Sequence, residues 1–388
     1  VSAAAPPSPL WRLQGLGQNV WLEFPGRAVV RSGQLARLIA ADGIAGVAFN
    51  PRIVENAVTT SSDYDRSIAE LARRGLNPEA ISTALAVADM QEAADLLRPL
   101  FEATDGSEGF ASLSVSPHAV DDTEEMIERG RALWSMLARP NAMIAVPATV
   151  AGVAAIRELV AEGINVHVTQ LYGVTRYRHI ALAYVEGLRM REQGGRSVAR
   201  VASVANFLLS PIDQMLDPRV EAMAALGSAK AARLVNQIAI SSAKIVYRRW
   251  RDIFEADPFA ILAGAGARPQ KLLWTAGSAV GDAHSDTRYS EALIGNGTAM
   301  TMTFEAIMAY RKDGRSGQTL EEGVQEAQAA LANLASLGLD VGAVALQLES
   351  EGIGKLTAAY DSLTAAIARK LAPAERHVVD AASLTGAR

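Results

Sequence analysis

Eight short runs with β-strand character recur along the chain, separated by stretches with helical patterning. They are Asn19–Glu23, Gly46–Asn50, Phe110–Ser114, Ala142–Val146, Asn165–Leu171, Val201–Leu208, Lys271–Thr275 and Thr298–Met302. Strands that alternate with helices predict a parallel sheet with crossover helices. Eight of them in succession predict an α/β chain folded as a single (β/α)8 TIM barrel. The alternative is an open, doubly wound sheet. Its dinucleotide fingerprint is missing, because Gly15-Leu16-Gly17 opens no strand–turn–helix unit. No Walker-type phosphate loop occurs either.

Between the strands, Ser32–Ala41 is expected to be helical and to stop at Asp42-Gly43. Asp122–Leu137 opens with acids that suit a helix N-terminus, and Thr149–Ala161 stops at Gly163. One or two helices are expected from Pro218 to Phe254, with Lys230, Lys244 and Arg248 on solvated faces. Ser316–Leu337 and Gly342–Leu371 read as the last helices. Residues 1–17 are expected to be a partly disordered N-terminal extension and residues 18–388 the single barrel domain.

Composition narrows the function classes. Of 388 residues, 49% are hydrophobic and 20% charged, which suffices for a large core without staples. The net charge of -5 argues against nucleic acid or an acidic membrane surface as partner. Cysteine is lacking, which excludes disulfides, thiolate nucleophiles, zinc–thiolate sites and iron–sulfur clusters. No apolar run reaches the roughly 18 residues of a membrane span. The expectation is a cytoplasmic protein without cofactor whose partner is a small molecule. The sequence carries no signal for oligomeric state.

Several motifs, in matched order and spacing, resemble the transaldolase family in its longer bacterial form. Gln18-Asn19-Val20-Trp21-Leu22-Glu23 is similar to that family's first-strand motif, which ends in aspartate. The run from Asp42 to Pro51 resembles its second-strand motif, and Ser61-Ser62-Asp63-Tyr64-Asp65 matches a motif after it. Ser112–Pro117, Met143–Thr149 and Gly163–Thr169 resemble the motifs of strands three, four and five. The resemblance runs from about Gln18 into the C-terminal third. It implies a class I aldolase-type barrel. In that family a strand-four lysine forms a Schiff base with a ketose phosphate. A strand-three glutamate and a strand-one aspartate move protons through a water, and an arginine holds the phosphate.

The same resemblance marks departures. The lysine position is Ala145, the glutamate position Ser114 and the aspartate position Glu23. The family's serine–arginine pair reads Ser210-Pro211, and the loop Thr275–Val280 has no lysine. The asparagine before Val-Thr on strand five is His167, whereas Asn50, Asn165, Thr169 and Ser210 persist. A Schiff base needs a primary amine, and alanine supplies none. Serine cannot replace a carboxylate proton shuttle without a partner base. Proline offers a phosphate no donor. Of the six lysines, Lys230, Lys244, Lys312, Lys355 and Lys370 fall at surface-like positions. Lys271 opens its strand at the end away from barrel active sites.

The expectation is therefore a transaldolase-like barrel without imine chemistry, repurposed to transform a different small molecule by acid–base steps, as in specialised biosynthesis. Two other readings stay open. One is a non-catalytic binding or regulatory module, whose sign would be a pocket collapsed onto His167 and Phe24. The other is a transaldolase that works through relocated groups.

The candidate catalytic residues are Glu23, His167 and Thr169; the candidate substrate-binding residues are Asn50, Arg52, Ser114, Ala145, Asn165 and Ser210. Strand alternation puts Asn165, His167 and Thr169 on one face, which the resemblance implies is the barrel interior. Glu23 would share that interior, and a Glu–His pair suits proton transfer near neutral pH. Alternatively, His167 fills the vacated space and bonds a backbone carbonyl or Glu23. Arg52 follows Asn50-Pro51 at the end of the second strand; it either replaces the phosphate arginine or pairs with Glu55 or Glu23. Tyr172 and Arg176 lie on the same side. Acidic clusters at Asp121–Glu125 and Asp282–Asp286 raise metal binding as an option, but the first reads more simply as a helix N-terminus, and no metal site is assigned.

Overall fold

The structure, a computed structural model, describes residues 8–276 and 283–385, without the side chains of 283–287 and 372–385. All eight expected strands form: β1 (Gln18–Glu23), β2 (Ile44–Ala48), β3 (Phe110–Ser114), β4 (Ala142–Pro147), β5 (Val166–Leu171), β6 (Ser203–Leu208), β7 (Lys271–Thr275) and β8 (Thr298–Met302). They close into a barrel in sequence order, every pair parallel, with β8 returning to β1. Helices connect consecutive strands on the outside. The strands are covered on both faces, so β4 reads Ala-Met-Ile-Ala-Val-Pro and is buried throughout. Among the described residues, no single helix is long and apolar enough to cross a membrane.

Two helices end where their glycines require. Gly43 (φ +68°) and Gly163 (φ +93°) take left-handed conformations at the C-termini of Gln34–Asp42 and Val150–Glu162. Asp122 caps the helix Thr123–Leu137, its carboxylate accepting from the Glu125 N–H at 3.0 Å. The acidic cluster there thus serves the helix N-terminus.

The barrel interior is layered. Trp21, Phe110, Met143, Val204, Leu273 and Ala299 form an apolar plug in its lower half. Gly46 on β2 makes the plug possible, because a Cβ at that position would run into the Trp21 indole. Above the plug the inward residues turn small and polar. Outside the barrel, a buried ion pair ties the early helices together. Arg27 Nε donates to Asp89 Oδ1 at 2.7 Å, and the Tyr64 hydroxyl donates to Asp89 Oδ2 at 2.7 Å. The Arg27 guanidinium lies 4.3 Å from the Tyr64 ring centroid.

Several expectations shift. Within the stretch read as an extension, Pro9–Gly15 is a helix whose Leu10 and Leu13 are fully buried; residues 1–7 lie outside the described part. The segment 32–41 starts as a helix only at Gln34, and the helix expected from Ser316 starts at Val324. The region expected to yield one or two helices holds three, Ser210–Ala225, Ala229–Ala232 and Ile238–Phe254, the first of them running through Pro218. Lys244 is half-buried rather than solvated. Its ammonium donates to the carbonyls of Thr319 (2.7 Å) and Glu322 (2.6 Å), which dock the chain leading into the helix Val324–Ser336. The last helix, Val341–Thr385, crosses the C-terminal mouth of the barrel, where Leu348, Lys355 and Leu356 face the strand ends.

Candidate active site

A cavity of about 460 Å³ opens at the C-terminal ends of the strands, under the helix Val341–Thr385. That is the end where barrel enzymes build their sites. Eight of the nine candidate residues line it: Glu23, Asn50, Arg52, Ser114, Ala145, His167, Thr169 and Ser210. It has not collapsed. Phe24 stacks on Phe49 at 6.3 Å and is fully buried outside the cavity.

Asn165 is the exception and a correction. β5 begins at Val166, so Asn165 sits at the opposite end of the barrel. Its Nδ2 donates to the carbonyls of Pro140 (2.9 Å) and Ala142 (3.0 Å), and its Oδ1 accepts from the Ala202 N–H (2.9 Å). It clasps the incoming ends of β4, β5 and β6. Alternation gives the face that Asn165 shares with His167 and Thr169 but not its height, and two residues along a strand displace a side chain by about 6–7 Å.

The registers put Ser114, Ala145 and His167 in one row across β3, β4 and β5. His167 Nδ1 lies 2.8 Å from Ser112 Oγ, two strands away. The ring also meets Trp21 edge-on at 5.7 Å, and Nε2 has no hydrogen-bond partner among the described residues. Full burial pushes the His167 pKa down to about 3. The imidazole is therefore neutral at physiological pH and a poor proton acceptor. The expected Glu23–His167 pair does not form. His167 bonds Ser112, rather than a backbone carbonyl or Glu23.

Glu23 is held differently. Asn50 caps the helix Pro51–Thr60, its Oδ1 accepting from the Arg52 N–H at 2.9 Å. That fixes the amide orientation, so Asn50 Nδ2 donates to Glu23 Oε1. One side chain thus ends a loop and aims the one carboxylate among the described residues that line the cavity.

Among the described residues, Arg52 and Lys355 bring positive charge to the rim. Arg52 is exposed, and no carboxylate among the described residues pairs with it. Glu55 instead accepts from Ser362 Oγ at 2.6 Å. Lys355 reaches the same mouth from the last helix. Arg176 is not available to a ligand in this way, since it pairs with Glu349 at 3.1 Å. Lys271 is bound to Glu108 at the far end of the barrel. The segment holding Asp282 and the side chains through Asp286 lie outside the described residues, as does Val280.

The lid helix approaches the barrel closely at Gly352, where a Cβ would run into Gln170 Oε1 and the Tyr172 hydroxyl. Gln170 itself sits in the left-handed region (φ +55°), at a register shift between β5 and β6. Tyr172 donates to Gln170 Oε1 at 2.8 Å, which locks this local distortion beside the cavity.

Sequence reasoning missed several lining residues. Ser112, Asn206, Thr275 and Thr301 line the cavity, with Thr275 Oγ1 donating to Asn206 Oδ1 at 2.7 Å. Strand periodicity could have found Ser112, two residues before Ser114, and Asn206 by the same rule. Lys355 carries no local signal, because only the packing of the last helix brings it to the mouth.

Comparison with known proteins agrees with this architecture. The family model for transaldolase/fructose-6-phosphate aldolase matches residues 23–367. The chain is 38% identical over 352 residues to a transaldolase of Thiobacillus denitrificans, covering 91% of this chain and 97% of that one. It is 37% identical to a transaldolase of Thermobifida fusca over 94% of this chain and 99% of the relative. It is 36% identical to transaldolase 1 of Streptomyces coelicolor over 95% and 96%. With a closed parallel barrel, a cavity at the strands' C-terminal ends and a family match over most of its length, the chain belongs to the transaldolase/fructose-6-phosphate aldolase family.

Proposed function

We propose that this barrel is a family member without imine chemistry, which binds a small anionic molecule in its mouth and transforms it by proton transfer. The observation that carries the reading is the row Ser114–Ala145–His167. At the place where the resemblance puts the Schiff-base lysine, the centre of the row ends in a methyl group, and a neutral imidazole stands beside it. Glu23, oriented by Asn50, is the proton carrier. His167 and Ser112 act as a neutral hydrogen-bonding wall, and Thr169, Asn206 and Ser210 supply polar contacts. Arg52 and Lys355 hold the anionic group in place of the family's arginine, whose position here is Pro211. An open cavity with charged groups at its rim favours ligand turnover over a purely structural role.

Charge recognition is testable with methyl phosphate as probe. Replacing both Arg52→Met and Lys355→Met should weaken its binding by about 10–100-fold, the worth of losing a charged hydrogen bond or two. Titration calorimetry at low salt measures this. Unchanged affinity in the double variant would remove Arg52 and Lys355 from the site.

A further inference from the structure

A second cavity of about 140 Å³ lies beside the mouth, and the two share Phe49, Pro51, Ser114 and Leu356 as walls. Beyond those shared walls it is bounded by Ala86 of the helix Pro78–Ala103, Leu133 and Met136 of Thr123–Leu137, and Leu363 of the last helix. Its charged neighbour, Arg129, is already paired with Glu125 at 2.7 Å. The compartment is lined mainly by apolar side chains, with the hydroxyls of Ser82, Thr83, Ser116 and Tyr360 among them, and offers no unpaired charge to a guest. Ser114 stands at the junction. A serine there leaves space between the two compartments that a long side chain would fill.

We propose that the side cavity receives a short apolar arm of the same ligand, so that the substrate class is a small anion carrying an alkyl or similar apolar substituent rather than a fully hydroxylated sugar phosphate. This rests on the reading of the mouth as an anion site. The head group sits between Arg52 and Lys355, and the arm runs past Ser114 and Leu356 toward Ala86 and Leu133. The polar groups of the mouth would be poorly served by an apolar arm, whereas the mainly apolar walls of the side cavity suit one.

The test is a calorimetric series of methyl, ethyl, propyl and butyl phosphate. Each methylene buried in the side cavity should tighten binding by about fourfold. The variant Ala86→Phe fills the side cavity from a helix that does not line the mouth. It should flatten the series while leaving methyl phosphate binding unchanged. A crystal structure with butyl phosphate provides a second readout, with the chain expected beside Leu133. If methyl phosphate binds but affinity is flat along the series, or the butyl chain points to solvent, the side-cavity assignment is overturned and the anion site stands. If no member of the series binds, the anion site itself fails, and this inference with it.

Discussion

Ala145→Lys, alone, leaves aldol cleavage of fructose 6-phosphate near background. The substitution puts an amine at the strand position where the resemblance places the Schiff-base lysine, and where burial would lower its pKa and favour nucleophilic attack. Three things still oppose the reaction. Position 114 is serine, and loss of general acid–base help typically costs about 10²–10⁴-fold. Position 211 is proline, and a substrate misplaced by about 1 Å can lose about 10²-fold. The third comes from the structure: His167, paired with Ala145 across β4 and β5, is a fully buried ring held by Ser112, where the resemblance puts an asparagine. The combination Ala145→Lys, Ser114→Glu and Glu23→Asp should exceed the single variant. Adding His167→Asn, the residue the resemblance puts there, should exceed the triple. Steady-state cleavage rates for the three variants check the order. A single variant equal to the triple would mean that Ser114 and Glu23 are not the proton-shuttle positions.

The largest expected loss of stability lies far from the cavity. Asp89→Ala should destabilise the fold by about 3–5 kcal/mol, the typical cost of breaking one partner from a buried ion pair. The Arg27 and Asp89 side chains are 2% and 0% exposed, so removal of the carboxylate leaves a guanidinium uncompensated inside the protein. The Tyr64 hydroxyl would lose its acceptor at the same time. Urea unfolding followed by circular dichroism measures the change. A loss below about 1 kcal/mol, the range of an exposed pair, would mean that water reaches this network. The result also bears on the motif Ser61–Asp65. Its tyrosine is conspicuous in the sequence, yet in the fold it supports a helix junction rather than the mouth.

The barrel was legible because eight buried strands impose a pattern that helices interrupt at regular intervals. Their ends differ from the expected ones by two residues or fewer. Most of the mouth was legible for the same reason. Period-two alternation puts His167 and Thr169 on one face, and the family resemblance implies that this face is the inside and places Ser114 and Ala145 beside it. Alternation fixes the face but not the height, and this is why Asn165 falls outside the mouth: it lies at the incoming end of β5. The partner of His167 was hidden for a related reason. A hydrogen bond between side chains two strands apart is a tertiary contact that no spacing rule carries. Lys355 was beyond reach because its role follows from where a helix far along the chain comes to rest.

The chain's chemistry turns on whether any amine in the mouth forms an imine. Incubation with fructose 6-phosphate and sodium borohydride, followed by intact-mass measurement, answers this directly, with a lysine-bearing transaldolase treated in parallel. The expected result is labelling of that control and no mass increase for this protein. A reduced adduct, mapped by peptide analysis to Lys355 or any other lysine, would contradict the proposal that this barrel works without an imine.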